Sequence, residues 1–288
     1  MADGILIIDK PAGWTSMDVC AKLRGIFHEK KVGHAGTLDP MATGVLPVFL
    51  GKATKALSFA EHGEKTYEAV LQLGIVTDTQ DSTGTVLERH EVHATKEAVE
   101  AVLPRFRGDI LQLPPMYSAI KVNGQRLYDI ARKGGTAERK ERAVTIRELT
   151  IREQLSDDRY ALRVTCSKGT YIRTLCHDIG AALTCGGCMA ALRRTAAAGF
   201  SIDEAVTLEA VQEKKEALLL SLDTYFRDYP AFTLPDAETE RRVRCGNAVH
   251  IEGLKNGVYR VYGADGSFLC LSGMADSTLR SIKNFFGE

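Results

Sequence analysis

The stretch from Lys31 to Gly44, KVGHAGTLDPMATG, breaks every regular period, because three glycines, Pro40 and two threonines interrupt it. A loop of that length inside a compact domain is either functional or disordered. Apolar flanks, Val32 on one side and Val45 to Leu50 on the other, favour an ordered one. Whatever fold the chain adopts has to frame this loop.

The segments around it alternate between strand and helix signals. Gly4 to Asp9 (GILIID) reads as a short buried strand, stopped by Pro11-Ala12-Gly13. A helix follows, capped by Thr15 or Ser16, with Asp18 in its first turn and Val19, Leu23, Ile26 and Phe27 on one face. Lys65 to Gly74 reads as a strand, and Gly84 to Val92 is predicted to pair with it across the polar TDTQDST region. Thr95 caps a helix reaching about Phe106, and Pro114-Pro115 precedes an extended MYSAIKV that ends in the Asn123-Gly124 turn signal. Leu127 to Ala131 reads as a short helix, Val144 to Glu153 and Tyr160 to Cys166 as strands, and Tyr171 to Leu183 and Thr207 to Leu220 as helices. Ala190 to Ala198 is ambiguous by period. Beyond Tyr229-Pro230 come short alternating pieces, Val258 to Tyr262 and Ser267 to Leu271, spaced by glycines, a pattern that suits a small β-barrel. The mixture predicts an α+β fold rather than a strict βαβ alternation, with one domain over residues 1–229 and a second over 230–288.

Hydrophobic residues make up 44% of the chain and charged residues 26%, enough for a sizeable core. Lys+Arg and Asp+Glu are equal at 37 each, so any nucleic-acid surface has to be local. Candidate basic clusters are Lys30-Lys31, Lys52 with Lys55, Arg139-Lys140 with Arg142, Arg193-Arg194, and Arg241-Arg242 with Arg244; the plain alternative for each is a solvated face. Seven cysteines without framework spacing argue for a reducing compartment. Cys185 and Cys188 lack the second ligand pair a structural zinc normally has, and Cys176-His177 is a weak substitute, so no metal is expected. No apolar run approaches the ~20 residues that span a bilayer, and the expectation is a cytoplasmic protein without membrane contact.

Four short patterns stand out: Lys10 to Ser16 (KPAGWTS), Gly33 to Gly44, Lys65-Thr66-Tyr67, and Ser167 to Arg173 (SKGTYIR). The glycine-rich one lacks the Gly-Lys-Ser/Thr ending that serves nucleotide phosphates. Alone, Asp39-Pro40 is best explained as a turn, and Tyr67 as an ordinary strand aromatic. Together, however, the patterns resemble the TruB-type pseudouridine synthases in their bacterial form. Their second motif is G-H-x-G-x-L-D-P-x-A-x-G, with every fixed position present here, and Lys10 to Ser16 and Ser167 to Arg173 are similar to their first and later motifs.

The resemblance implies a catalytic domain with a mixed, largely antiparallel sheet flanked by helices, followed by a PUA-like RNA-binding β-barrel. It makes Asp39 the catalytic carboxylate, Tyr67 the aromatic that packs on the target base, and Tyr171 and Arg173 their active-site partners. Leu192 becomes an apolar wall, His34 a wedge into the RNA loop, and Lys10 and Pro11 supports of the Asp39 loop; Lys52, Arg193 and Arg241 are expected to meet RNA. The implied activity converts the uridine at position 55 of tRNA, in the T-loop, to pseudouridine. Neither cofactor, guide RNA nor protein partner is implied, and a monomer is expected. Two rivals remain, a guide-RNA-dependent synthase for ribosomal RNA and an RNA-binding or RNA-folding module that has lost catalysis; the presence of Asp39, Tyr67, Tyr171 and Arg173 counts against the second.

The chemistry makes these residue types intelligible. Breaking a glycosidic bond leaves the sugar short of electrons, and a carboxylate stabilises or captures such a centre. Asp39 can attack C1′ or remove the 2′ proton, and both routes need its ionised form.

Overall fold

A computed structural model describes residues 2–60, 63–122 and 124–287. Strand β1 (Gly4–Lys10) is buried almost throughout. Helix α1 (Ser16–Phe27) starts at Thr15, whose hydroxyl accepts from the Asp18 amide while the Asp18 carboxylate accepts from the Thr15 amide. Its apolar face, Val19, Leu23, Ile26 and Phe27, packs on Leu6, Ile8, Leu46 and Val48. The long loop is shorter than expected, because β2 (Val32–His34) pairs with β3 (Thr43–Leu50) and leaves only residues 35–42 irregular.

Then come α2 (Leu57–Ala60), β4 (Lys65–Leu73), β5 (Ile75–Thr77), β6 (Val86–Arg89), α3 (Lys96–Val102) and β7 (Gly108–Gln112). They are followed by β8 (Lys121–Val122), β9 (Gln125–Arg126), α4 (Leu127–Arg132), β10 (Arg142–Ser156), β11 (Arg159–Cys166), α5 (Ile172–Ala182) and β12 (Gly187–Ala197). The main sheet has the order β1-β3-β12-β4-β11-β10-β7, with β2 added on β3 and β13 (Phe200–Ser201) on β12. Its pairings are antiparallel except β3 with β12, so a mixed, largely antiparallel sheet is what forms.

Three expectations need correction, and one segment left open by its period is settled. Residues around Gly84 to Val92 do not pair with β4; β6 pairs with β5, after Gly74 at φ 81° turns the chain off the sheet. Ala190 to Ala198 is strand, since β12 lies between β3 and β4 and its small side chains suit that interior position. The helix over Thr207 to Leu220 is broken into α6 (Leu208–Lys214) and a 3-10 turn (Lys215–Leu218), where Lys215 takes φ 44°. MYSAIKV is extended only at Lys121–Val122; Asn123 of the expected turn lies outside the described residues, and β9 does pair back onto β8.

After α7 (Leu222–Tyr225), a second sheet is built from β14 (Ala231–Thr233), β15 (Val249–His250), β16 (Gly257–Tyr262), β17 (Phe268–Ala275) and β18 (Thr278–Asn284), with α8 (Ala237–Arg244) between β14 and β15. Its order is β14-β16-β17-β18-β15, and among the described residues no pairing joins β14 to β15. It is thus an open sheet rather than the closed barrel expected, because edge strands of three and two residues offer too few backbone groups for a closing ladder.

Candidate active site

The Asp39 loop is fastened on both sides by the first motif. Lys10, fully buried at the end of β1, donates from Nζ to the carbonyls of Pro11 (2.9 Å), Trp14 (2.6 Å) and Pro40 (3.3 Å). The Gly13 amide also donates to the Pro40 carbonyl at 2.8 Å. On the other side, buried Ser16 accepts from the Leu38 amide at 2.9 Å and donates to the Leu38 carbonyl. Residues 38 and 40 are therefore pinned, and Asp39 is presented between them. Burial lowers the Lys10 ammonium to about pH 8, against an opposing pull from Asp39.

Arg173, in the first turn of α5, meets Asp39 through Nε to Oδ2 at 3.0 Å, and its side chain is 7% exposed against 36% for Asp39. The guanidinium is held from behind by Asp81 Oδ2 (3.5 Å) and by the carbonyls of Thr79 (3.2 Å) and Tyr117 (2.8 Å). Asp81 is itself buried and accepts from the hydroxyls of Thr79 (2.8 Å) and Thr83 (2.6 Å). Burial raises the pKa of Asp39, Arg173 lowers it, and the Asp81 charge adds to the rise.

Two tyrosines complete the constellation. Tyr67 of β4 is buried opposite Arg194 of β12, in the same core cluster as Leu38 and Leu192. Burial pushes its phenol pKa up, opposed by the Arg194 guanidinium. Tyr171 caps α5, and its amide and carbonyl are both bonded to the buried Gln112 side chain, at 2.9 and 3.2 Å. Burial raises its pKa as well, while Ser118, Arg142 and Arg173 pull it down. Helix α5 can approach β12 because Gly180 has no side chain: a Cβ there would sit 2.3 Å from the Gly187 nitrogen. What is assembled is a partly accessible carboxylate paired with a guanidinium that a second carboxylate fixes, next to the core cluster that holds Tyr67.

Residues 24–172 match the TruB family pseudouridylate synthase (N terminal domain), and residues 173–227 match the tRNA pseudouridylate synthase B C-terminal domain. The chain belongs to the TruB family. Among its relatives, a protein of Stutzerimonas stutzeri (strain A1501) named tRNA pseudouridine synthase B is 44% identical over 274 residues, covering 92% of this chain and 90% of the relative. One of the same name from Azoarcus sp. (strain BH72) is 48% identical over 242 residues, covering 83% and 80%. A solved Cbf5-Nop10-Gar1 complex contains a chain that superimposes with a TM-score of 0.73 at 25% identity, covering 99% of this chain and 85% of that one.

Within this TruB-family frame, the sequence-predicted residues divide into two groups. Asp39 and Arg173 meet, with Lys10 and Pro11 behind their loop; Tyr67 and Leu192 share a core cluster with Leu38, and the ionisations of Tyr67 and Tyr171 respond to Asp39. His34 ends β2, half-buried, at the mouth of the same loop. The other basic candidates lie elsewhere or are neutralised. Arg193 is ion-paired to Asp9 at 2.7 Å, Arg241 to Glu238 at 2.7 Å, and Lys52 is exposed on the 3-10 turn Gly51–Ala56.

Sequence reasoning missed Asp81 and Arg194. Asp81 sat in a run read only as a polar turn, although a run so rich in Asp and Thr supplies both a carboxylate and hydroxyls to hold it. Arg194 belongs to a pair expected among the basic surface clusters, yet it is fully buried, donating to the carbonyls of Val45 (2.7 Å) and Gly36 (2.9 Å) at the two ends of the Asp39 loop. An arginine inside a stretch of alanines was the available signal.

Proposed function

We propose that this chain isomerises uridine to pseudouridine in the T-loop of tRNA, at position 55, acting alone and without a guide strand or cofactor. The observation that carries the reading is the Asp39–Arg173 pair, in a loop held by Lys10, Ser16 and Arg194. The names of the relatives add the substrate.

Asp39 is the group that acts at the sugar. It attacks C1′ or takes the 2′ proton as the N1–C1′ bond breaks; the base turns, C5 joins C1′ as the carboxylate leaves or the 2′ proton is returned, and the C5 proton is lost while N1 gains one. Arg173 opposes the rise in the Asp39 pKa that burial causes and so favours the ionised carboxylate. Tyr67 holds the detached uracil by stacking, worth about 1–3 kcal/mol per base, which leaves rotation free. Tyr171 and Leu192 bound the pocket, and His34 enters the RNA loop when the nucleotide is extruded, a step that takes a few kcal/mol. Residues 230–288 serve as a PUA-like RNA-binding module after a catalytic domain of 1–229. Arg241, Lys52 and Arg193 then contribute phosphate contacts away from the pocket. The protein works as a cytoplasmic monomer.

Incubation with unmodified tRNA followed by carbodiimide-stop mapping tests the reading. Wild-type protein should mark one T-loop uridine, and Asp39→Ala should lose turnover by on the order of 10⁴-fold while still binding tRNA. Turnover that survives in Asp39→Ala moves the catalytic role to another residue.

A further inference from the structure

Arg194 is fully buried on β12, and its part in tying the Asp39 loop leaves its charge unexplained. Nε donates to the Val45 carbonyl at 2.7 Å and Nη2 to the Gly36 carbonyl at 2.9 Å, while Nη1 is buried with no hydrogen-bond partner among the described residues. Two carbonyls need donors, not a full positive charge, and a guanidinium stays ionised in a protein. Taking such a charge out of water is unfavourable unless an anion meets it. The two carboxylates of the site do not serve, because Asp39 and Asp81 both pair with Arg173. Among the described residues no carboxylate pairs with Arg194.

The guanidinium does face one group of the site. Arg194 and Tyr67 are directly opposite in the antiparallel pairing of β12 with β4, so their side chains share a face of the sheet, and the Arg194 charge acts on the Tyr67 phenol. Arg194 is completely enclosed whereas Tyr67 keeps some exposure, which makes the tyrosine the nearer of the two to an incoming base. The isomerisation itself supplies an anion there. When N1–C1′ breaks, the bonding electron pair leaves with the base, and the detached uracil carries a negative charge spread over its ring nitrogen and oxygens. That charge disappears when C5 donates an electron pair to the new bond with C1′ and Asp39 leaves as a carboxylate or returns the 2′ proton. The base is thus anionic only between the two bonds, and a fixed cation in a water-excluded site acts most strongly where charge develops in this way.

We propose that Arg194 stabilises the detached uracil anion from behind Tyr67 and so lowers the barrier to glycosidic cleavage. The inference rests on the isomerisation proposed above. It holds for either route open to Asp39, since attack at C1′ and loss of the 2′ proton both release the base with the electron pair. Arg194 acts through its field and through Tyr67, and touches neither sugar nor base.

The test uses the full chain in single turnovers on two tRNAs, one with uridine and one with a single 5-fluorouridine at the target position. Loss of the N-linked nucleoside is followed by chromatography of nuclease digests. Fluorine withdraws electrons from the base and stabilises the same anion without help from the protein. R194Q, which keeps a hydrogen-bond donor but not the charge, should cleave uridine about 10²–10³-fold more slowly than wild type. On 5-fluorouridine the deficit of that variant should shrink to roughly tenfold, since less charge stabilisation is asked of the protein. Both substrates meet the same preparation, so misfolding lowers the two rates alike and leaves their ratio untouched. R194K, which keeps the charge, should recover at least about tenfold of the lost rate. Binding of tRNA should be the same in all three proteins, because the anion is absent until the bond breaks. Equal deficits on the two bases overturn the proposal, as does an R194K as slow as R194Q or a loss that appears only in tRNA affinity. A wild-type protein that converts no uridine refutes the functional reading itself, and this inference with it.

Discussion

In the proposed reaction Asp39 has to be ionised to act at the sugar, and its surroundings pull in two directions. Burial and the Asp81 charge raise its pKa, and Arg173 lowers it. Activity is therefore expected to fall as pH drops through a value above the ordinary 3.8 of an aspartate, because the protonated acid neither attacks nor accepts a proton. Stability has the opposite sign: a carboxylate raised in the folded state binds its proton more tightly there, so this contribution declines as pH rises through the folded value. Asp81→Asn separates the two roles of Asp81. Removing its charge should shift the acid limb of the single-turnover rate to lower pH. Removing the carboxylate that fixes Arg173 should lower kcat, by up to on the order of 10²-fold if the guanidinium is misplaced by about 1 Å. A variant with an unmoved limb and an unchanged kcat would show that Asp81 merely fills space.

The elements around the loop explain what could be read from sequence and what could not. Local signals were legible: Thr15 capping α1, Thr95 capping α3, and the apolar run of β1 each depend on neighbours in the chain. The pairing of β6 with β5 was not, because the alternation of Gly84 to Val92 is equally compatible with either partner. The strand state of β12 follows from its place between β3 and β4, which no local period contains. Asp39 stood out through a pattern of neighbours, whereas Arg194 and Tyr67 meet only once β12 has paired with β4. Gly44 shows how strict that sheet is. It takes φ 99° beside Arg194, and a Cβ would lie 2.2 Å from the Arg194 carbonyl oxygen, so β3 and β12 approach only with glycine there. Gly44→Ala is expected to destabilise the fold by about 1–3 kcal/mol in denaturant titration and to lower turnover, since Arg194 ties both ends of the loop. Wild-type stability in that variant would mean that the β3 to β12 contact is looser than described.

At the scale of the molecule, the two sheets each have their own hydrophobic cluster and are joined through a further one that both line. Phe226 is 2% exposed, and its ring lies 5.5 Å from Phe59 on one side and 6.0 and 5.4 Å from Phe268 and Phe285 of the C-terminal segment on the other. The same cluster includes Phe49 of β3 and Ala35 of the Asp39 loop. A C-terminal sheet attached in this way is not a module on a flexible tether, and RNA bound to it would be held at a set distance from Asp39. The boundary proposed after residue 229 is therefore one of topology, crossed by packing. Thermal unfolding should show one transition, followed alike by far-UV and near-UV signals, instead of two. Phe226→Ala should lower stability by about 3–5 kcal/mol and shift that whole transition, because it opens a cavity both sheets line. Two separate transitions in the wild-type protein, or a Phe226→Ala change confined to one of them, would show that the sheets fold independently and that the fixed spacing has to come from the bound RNA.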